Sequence, residues 1–518
     1  LLAAALLLLP GIAAAQSLSF ALKSAPSTSD PLFHNRVVNN SLAANIFDRL
    51  VHQDERQQLV PGLATAWRAI GDNAWEFTLR PGVRFQDGSP FGAEDVAATL
   101  ARIPRVPNSP SAFTISTRAI RQVEIVDAHT IRLHTEGPAP LLPNDLAIVN
   151  IISRQALAAS TADFNNAAPA TIGTGPFRLI RFTPNEGVVL QRFDGHWGEA
   201  PAWRDVRFRF IANDAARVAA LLAGDVDAIE NVPTEELARL SGNPAFRVSS
   251  AVSNRILFLA LDHARAESPQ VTDAAGRPLP ANPLRDLRVR QAISKAIDRQ
   301  GIAERIFLGE AEPAGGLIAE GFGGASPELR PEPFDPEAAR ALLRQAGYPE
   351  GFTLVLHGSH DQYPNAGRVL QAIGAMLTRV GIRARVELLP AAIFNARSAA
   401  PHHDYGVMLL GWGAGTGEVS SPLRALLASV DPARGLGSAN RGRYANPALD
   451  ALLQQALRSL DGGAREGLLR QASALAVRDL GVVPLYYQRN AWATRAPLRY
   501  AARADEYSLA RSVRPAAD

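Results

Sequence analysis

Two periodicities alternate along this chain, and that alternation limits its fold more than any other feature. Apolar residues recur at every second position, or run together, over residues 17–22, 75–79, 178–182, 188–192, 205–211, 255–261, 353–356, 383–388, 405–410 and 482–487. The pairs 120–126 and 130–135 flank Asp127-Ala128-His129 as a hairpin would. Between them lie helical patterns over 37–51, 93–102, 214–223, 285–299, 337–346, 366–380, 447–460 and 464–479. Glu94 and Asp95 sit in a first helical turn, where the helix dipole favours acids, and Gly224 and Gly347 stand where helices stop. Strands interleaved with helices predict a mixed α/β chain. A length of 518 residues fits about three domains or fewer large ones. Proline- and glycine-rich stretches at 104–111, 268–283 and 311–336 read as loops or insertions.

Composition removes whole classes of function. There is no Cys, so thiol catalysis, Cys-ligated zinc, iron–sulfur clusters and a lipid anchor on an N-terminal cysteine are excluded. With 53 basic and 50 acidic residues the net charge is +3, too small for a nucleic-acid footprint. Only two lysines occur, Lys23 and Lys295, and neither follows a phosphate-binding glycine loop. No His-Glu-x-x-His and no Gly-x-Ser-x-Gly occurs, and carboxylate pairs single out no acid–base couple. A secreted hydrolase therefore has no positive signal. His402-His403-Asp404 could bind a metal, but a loop ahead of a strand accounts for it more simply, so no metal and no cofactor is expected.

The first residues set the compartment. Residues 1–9 are all Leu or Ala, Pro10-Gly11 interrupts them, and Ala13-Ala14-Ala15 precedes Gln16. This is the apolar region and small-residue cleavage site of a secretory signal peptide, over 1–16 and without its charged leading segment. The run is too short to cross a bilayer, which takes about 20 apolar residues. The expected mature protein starts near Gln16 or Ser17 and is exported, not membrane-inserted.

The most unusual local feature is Gly411-Trp412-Gly413-Ala414-Gly415-Thr416-Gly417-Glu418, between a strand and a helix. Thr416 stands where a dinucleotide fingerprint needs its third glycine. The glycines can instead expose backbone N–H and C=O groups to a ligand, with Trp412 as a flat apolar face, or the loop can be a plain turn with a core tryptophan.

Several blocks in order carry a resemblance. Leu59-Val60-Pro61-Gly62-Leu63-Ala64-Thr65-Ala66-Trp67 is followed by residues 75–91, with Pro81-Gly82, Phe85 and Asp87-Gly88-Ser89-Pro90-Phe91, and then Ala93-Glu94-Asp95-Val96. Gly173-Thr174-Gly175-Pro176-Phe177 with Trp197-Gly198, residues 216–227, Val289-Arg290-Gln291-Ala292-Ile293 with Ala296-Ile297-Asp298-Arg299, residues 405–412 and Val483-Pro484-Leu485-Tyr486 complete the series. Together they resemble the extracytoplasmic solute-binding proteins of peptide-type ABC importers, the dipeptide/oligopeptide-binding family 5, over essentially the whole mature chain. Trp67, Trp75, Phe77 and Phe85 read mainly as the core of a small antiparallel sheet.

The resemblance implies a bilobal periplasmic-binding-protein fold with mixed sheets, an extra side domain, and a hinge between lobes that close on a ligand. One discontinuous lobe would gather 17–48, 172–255 and 483–518, the side domain 49–171, and the second lobe 256–482, with crossings near Arg255 and Val483. It implies a monomeric periplasmic protein without catalysis, handing a peptide or peptide-like solute to an ABC permease with its cytoplasmic ATPase. Opines, sugars and metal chelates are the alternative cargoes. In such proteins the ligand backbone pairs with the segment that is here Gly411-Trp412-Gly413, and an Asp three residues after the Trp holds the peptide amine. Gly415 stands there, so the resemblance leaves Glu418 or Asp361 for that role, or a solute without a free amine. His360, Asp361, Gln362 and Tyr363 occupy the region of the expected carboxylate contact, and Thr416 completes the candidate set.

Overall fold

Six consecutive apolar residues, Ile256 to Leu261, can be buried in full only in a sheet covered on both faces. The computed structural model describes residues 17–268 and 270–516, so the signal segment expected over 1–16 lies outside the described residues. In it Leu257, Leu259 and Leu261 enter one apolar cluster, while Ile256, Phe258 and Ala260 enter another on the opposite face. The neighbouring strand Val407–Gly413 divides in the same way, with Val407 and Leu409 on one side and Met408 and Leu410 on the other.

Among the described residues the main sheet has twelve strands. Two long strands, Phe246–Leu261 and Val483–Arg495, lie side by side at its centre and run antiparallel. Their register breaks between Val252↔Arg489 and Ile256↔Tyr487, where four steps on one strand face two on the other. On one side of this crossing, Val407–Gly413, Phe352–Ser359 and Ile382–Leu389 extend the sheet. On the other, Ala228–Ile229, Ser17–Leu22, Asp205–Phe210, Gly187–Arg192 and Phe177–Thr183 do so. Parallel and antiparallel pairs mix, as the α/β reading requires.

The expected small sheet is present: Ala64–Ala69, Ala74–Leu79, Thr130–Thr135 and Ile120–Asp127 pair antiparallel in that order. Phe77 and Phe85 are fully buried, whereas Trp67 and Trp75 are half-buried, Trp75 because its indole N–H reaches the Ala139 carbonyl at 3.0 Å. This sheet shares one apolar cluster with Phe20, Phe177 and Phe208 of the main sheet's far side and with Ile46 at the end of the helix Val37–Ile46. Gly173 and Gly175 of the second sequence block press on that junction. A Cβ at Gly173 would lie 2.0 Å from the Ile46 carbonyl oxygen, and one at Gly175 2.6 Å from the Ile46 carbonyl carbon.

Two expectations shift. The helical pattern over 285–299 is two helices, Leu287–Lys295 and Arg299–Arg305, because the side chains of Asp286 and Asp298 each cap a new N-terminus. The pattern over 37–51 ends as a helix at Ile46, and Val51–Gln53 is a strand. Among the described residues no helix is long and apolar enough to cross a membrane.

Candidate functional site

The glycine-rich segment is a strand end with one edge that no strand pairs among the described residues. Val407–Gly413 pairs along its whole length with Phe246–Leu261, from Leu261↔Val407 to Arg255↔Gly413. On its other side only Val407 and Met408 have strand partners, on Phe352–Ser359. Among the described residues, 409–413 therefore have no strand beside them on that side, and glycines stand at 411 and 413. An unpaired edge of this kind is a template for an added extended chain.

Tyr363 covers the edge. Its hydroxyl accepts the Gly411 N–H at 3.0 Å and donates to the Gly411 carbonyl at 3.3 Å. The Gln362 side-chain amide donates to the same hydroxyl at 2.9 Å, and Asn395 donates to Gln362 at 3.2 Å. A Cβ at Gly411 would stand 2.8 Å from Tyr363 Cε1 and 3.0 Å from Leu257 Cδ1, so only glycine admits the ring. Burial pushes the Tyr363 phenol up, and it stays protonated at neutral pH.

Beyond the strand the chain turns. Gly415 N–H donates to the Gly413 carbonyl at 3.0 Å, and Gly417 N–H to that of Ala414 at 2.8 Å. Three side-chain amides from the small-sheet side of the molecule clasp the loop: Gln53 and Gln57 both donate to the Gly415 carbonyl at 3.1 Å, and Asn144 to that of Thr416 at 3.1 Å. Trp412 is half-buried against the cluster holding Met408 and Leu410, and its indole N–H donates to Ser421 Oγ at 3.0 Å. Thr416 Oγ1 is buried with no hydrogen-bond partner among the described residues.

Of the two acids expected to meet a ligand amine, Glu418 is engaged through both oxygens and Asp361 through one. Glu418 is buried and pairs with Arg465 at 2.7 Å, and Ser420 donates to its other oxygen. Burial raises its carboxyl, with Arg465 opposing. Asp361 is exposed, accepts from Ser359 Oγ, and accepts the Ala391 N–H at 2.9 Å at the start of the helix Ala391–Ser398. Both of these bonds go to Oδ1 of Asp361, which leaves its Oδ2 open to solvent, whereas Glu418 uses both of its oxygens. His360 is exposed, its backbone N–H held by the Leu389 carbonyl at 3.2 Å. The structure thus gathers Gln362, Tyr363, Gly411, Trp412, Gly413, Gly415 and Thr416 around one edge, while His360, Asp361 and Glu418 serve neighbouring structure.

Sequence reasoning missed the polar groups that come from far away in the chain. Arg255 forms a two-pronged pair with Glu506 at 3.0 and 2.9 Å beside Gly413. A Cβ at Gly413 would lie 3.3 Å from Arg255 Nη2. Glu506 holds this position in a left-handed backbone, φ 66°. Arg441 donates to Asn395 at 3.1 Å and to Ser398. The one available signal was Arg255 itself, a charge at the head of an otherwise apolar strand.

The family "Bacterial extracellular solute-binding proteins, family 5 Middle" matches residues 58–433. The glutathione-binding protein GsiB of Salmonella paratyphi A is 28% identical over 485 residues, covering 92% of this chain and 90% of its own. Among solved structures, the periplasmic binding protein DppA of Helicobacter pylori in complex with the peptide STSA superposes with a TM-score of 0.79 at 23% identity, covering 96% of this chain and 98% of its own. AgaA of A. tumefaciens R10 in complex with agropinic acid does so at 0.78 and 24%, covering 97% and 99%.

Proposed function

The chain belongs to the bacterial extracellular solute-binding proteins of family 5, and on that premise we propose that it captures a peptide or peptide-like solute on the edge of residues 409–413 and delivers it to an ABC permease. The observation that supports the reading is the glycine-lined strand edge that no strand pairs, its Gly411 capped only by the Tyr363 hydroxyl. A peptide laid there would exchange main-chain hydrogen bonds with Gly411 and contact Gln362, Trp412, Gly413, Gly415 and Thr416. The names of GsiB and of the DppA complex favour a peptide-like cargo.

In this reading residues 17–48, 172–255 and 483–518 form one lobe, 49–171 its side domain and 256–482 the other. Support comes from the packing. Two apolar clusters draw their members from 252–487, and two others draw theirs from 18–248 and 491–513. The register break at Val252/Ile256 lies where the long strands pass from one set to the other. A bulge there lets the sheet bend without losing either strand, which suits a hinge. In this reading the protein binds its solute without altering it, works as a monomer, and acts in the periplasm.

Native mass spectrometry of the protein purified from the periplasm, followed by denaturation, tests this. Release of small peptides or a peptide conjugate, chemically intact, is the expected result. A single non-peptide mass would overturn the substrate class, and a released product of cleavage would overturn the binding role.

A further inference from the structure

The Tyr363 hydroxyl meets two donors and one acceptor. The Gly411 N–H reaches it at 3.0 Å and the Gln362 side-chain amide at 2.9 Å, and the Gly411 carbonyl stands at 3.3 Å. A hydroxyl has two lone pairs and one proton. Both lone pairs are therefore taken, and the proton is left for the Gly411 carbonyl. This assignment holds only while Gln362 turns its NH2 toward the ring.

A series of side chains fixes that turn, beginning at Arg441, two side chains removed from the ring. Arginine offers donors alone. Arg441 Nη1 reaches Asn395 Oδ1 at 3.1 Å and also Ser398 Oγ, and both acceptors stand on the helix Ala391–Ser398, three residues apart on one face. Asn395 must then point its oxygen at the guanidinium and its NH2 away. That NH2 donates to Gln362 Oε1 at 3.2 Å, which leaves the Gln362 NH2 for Tyr363. Ser398 is fully buried and gives its own proton to the Asn395 carbonyl at 3.2 Å, so toward Arg441 it too is an acceptor. Burial holds the Arg441 guanidinium below its ordinary range, and Tyr363, not an acid, is the group that opposes the shift. The neighbours of Arg441 are pinned: Asn440 donates to the Ala428 and Tyr444 carbonyls at 3.0 and 2.7 Å, and Arg443 pairs with Asp262 at 2.5 Å.

We propose that Arg441 is a positioning residue for the solute edge: through Asn395 and Gln362 it sets the direction of the Tyr363 proton, and so how firmly Gly411 is capped. With the relay reversed, the Tyr363 proton goes to Gln362 Oε1, the Gly411 carbonyl loses its cap, and a solute has one bond fewer to break. The effect on affinity rests on the peptide reading above, whereas the direction of the relay does not.

Asn395→Asp reverses the relay at nearly constant shape. A carboxylate still accepts from Arg441 but cannot donate to Gln362, so Gln362 must turn its NH2 to residue 395 and its oxygen to Tyr363. The empty protein, isotope-labelled at the Cζ of its tyrosines, reports the direction by NMR, and the signal lost in Tyr363→Phe identifies the resonance. Asn395→Asp should move that resonance, and the uncharged Asn395→Ala should move it in the same sense by less. Arg441→Met should match Asn395→Ala, and Arg441→Lys, which still offers only donors, should restore the original position. Thermal melting checks that each variant is folded. Calorimetric titration of glutathione and of trialanine should show about two- to threefold tighter binding in Asn395→Asp, and no such gain where Tyr363→Phe is already present. A resonance unmoved by Asn395→Asp, or an affinity gain that persists beside Tyr363→Phe, overturns the relay and leaves the peptide reading intact. A resonance that moves as expected while no form binds either peptide supports the relay and overturns the peptide reading.

Discussion

Replacing Tyr363 by Phe separates the edge's resident partner from its proposed ligand. The hydroxyl makes one good hydrogen bond to the Gly411 N–H, 3.0 Å, and one long bond to its carbonyl, 3.3 Å. A net value of about 1 kcal/mol for the first and about half that for the second gives roughly 1.5 kcal/mol. A peptide that pairs with Gly411 must break both, whereas in Tyr363→Phe it displaces only water. The variant should therefore bind its solute about tenfold more tightly, since 1.4 kcal/mol is a factor of ten. The empty variant should be less stable by about the same 1.5 kcal/mol. The solute released from the purified protein, titrated back by calorimetry, gives the first quantity, and urea unfolding of the empty forms gives the second. Weaker binding to Tyr363→Phe would refute the reasoning, for it would mean that the hydroxyl belongs to the ligand's contacts and not to their competitor.

Three further outcomes follow from the packing. Glu418→Gln should cost about 3 kcal/mol in urea unfolding by stranding Arg465; a large loss of ligand affinity with unchanged stability would make Glu418 the amine's partner after all. Burial pushes the Asp145 carboxyl up to about 6, against the pull of Arg424. The folded protein then holds this proton more tightly than the unfolded chain, so the group's contribution to stability falls as pH rises from about 4 to 6. Asp145→Asn should remove that slope and add about 2–3 kcal/mol near pH 7, read from urea midpoints of both proteins across the window; parallel profiles would contradict it. Gly173→Ala should cost about 3 kcal/mol or more, because its Cβ meets the Ile46 backbone and not a movable side chain; a melting curve unchanged by the substitution would count against the close approach.

What the sequence made legible was local. The helix expected over 214–223 is Asp214–Ala223, because both of its ends are written in neighbouring residues: Asn213 accepts the Ala216 N–H at 2.9 Å, and Gly224 takes φ 84°. The strand expected at 255–261 is sixteen residues long, Phe246–Leu261. Its first half, Phe-Arg-Val-Ser-Ser-Ala-Val-Ser-Asn, carries no clear period. It is a strand because Val483–Arg495 pairs with it, more than 200 residues away. The candidate site divides in the same manner. Its glycine edge stood out by composition, and Tyr363 by its place in the resemblance. Gln53, Gln57, Asn144 and Glu506 are ordinary polar residues until folding brings them to the loop.

The strand that organises the centre of the molecule also poses a problem before folding. Ile256 to Leu261 is six residues of high β-propensity with no charge, proline or glycine, the kind of segment that stacks with copies of itself when exposed. Arg255 and Asp262 bracket it. In the folded protein these two are occupied, Arg255 with Glu506 and Asp262 with Arg443 and Arg265. In the unfolded chain the same side chains set a charge at each end of the run, where parallel, in-register self-association would bring like charges together. One pair of residues thus guards the newly made chain against aggregation and later ties the central strand to both halves of the finished structure.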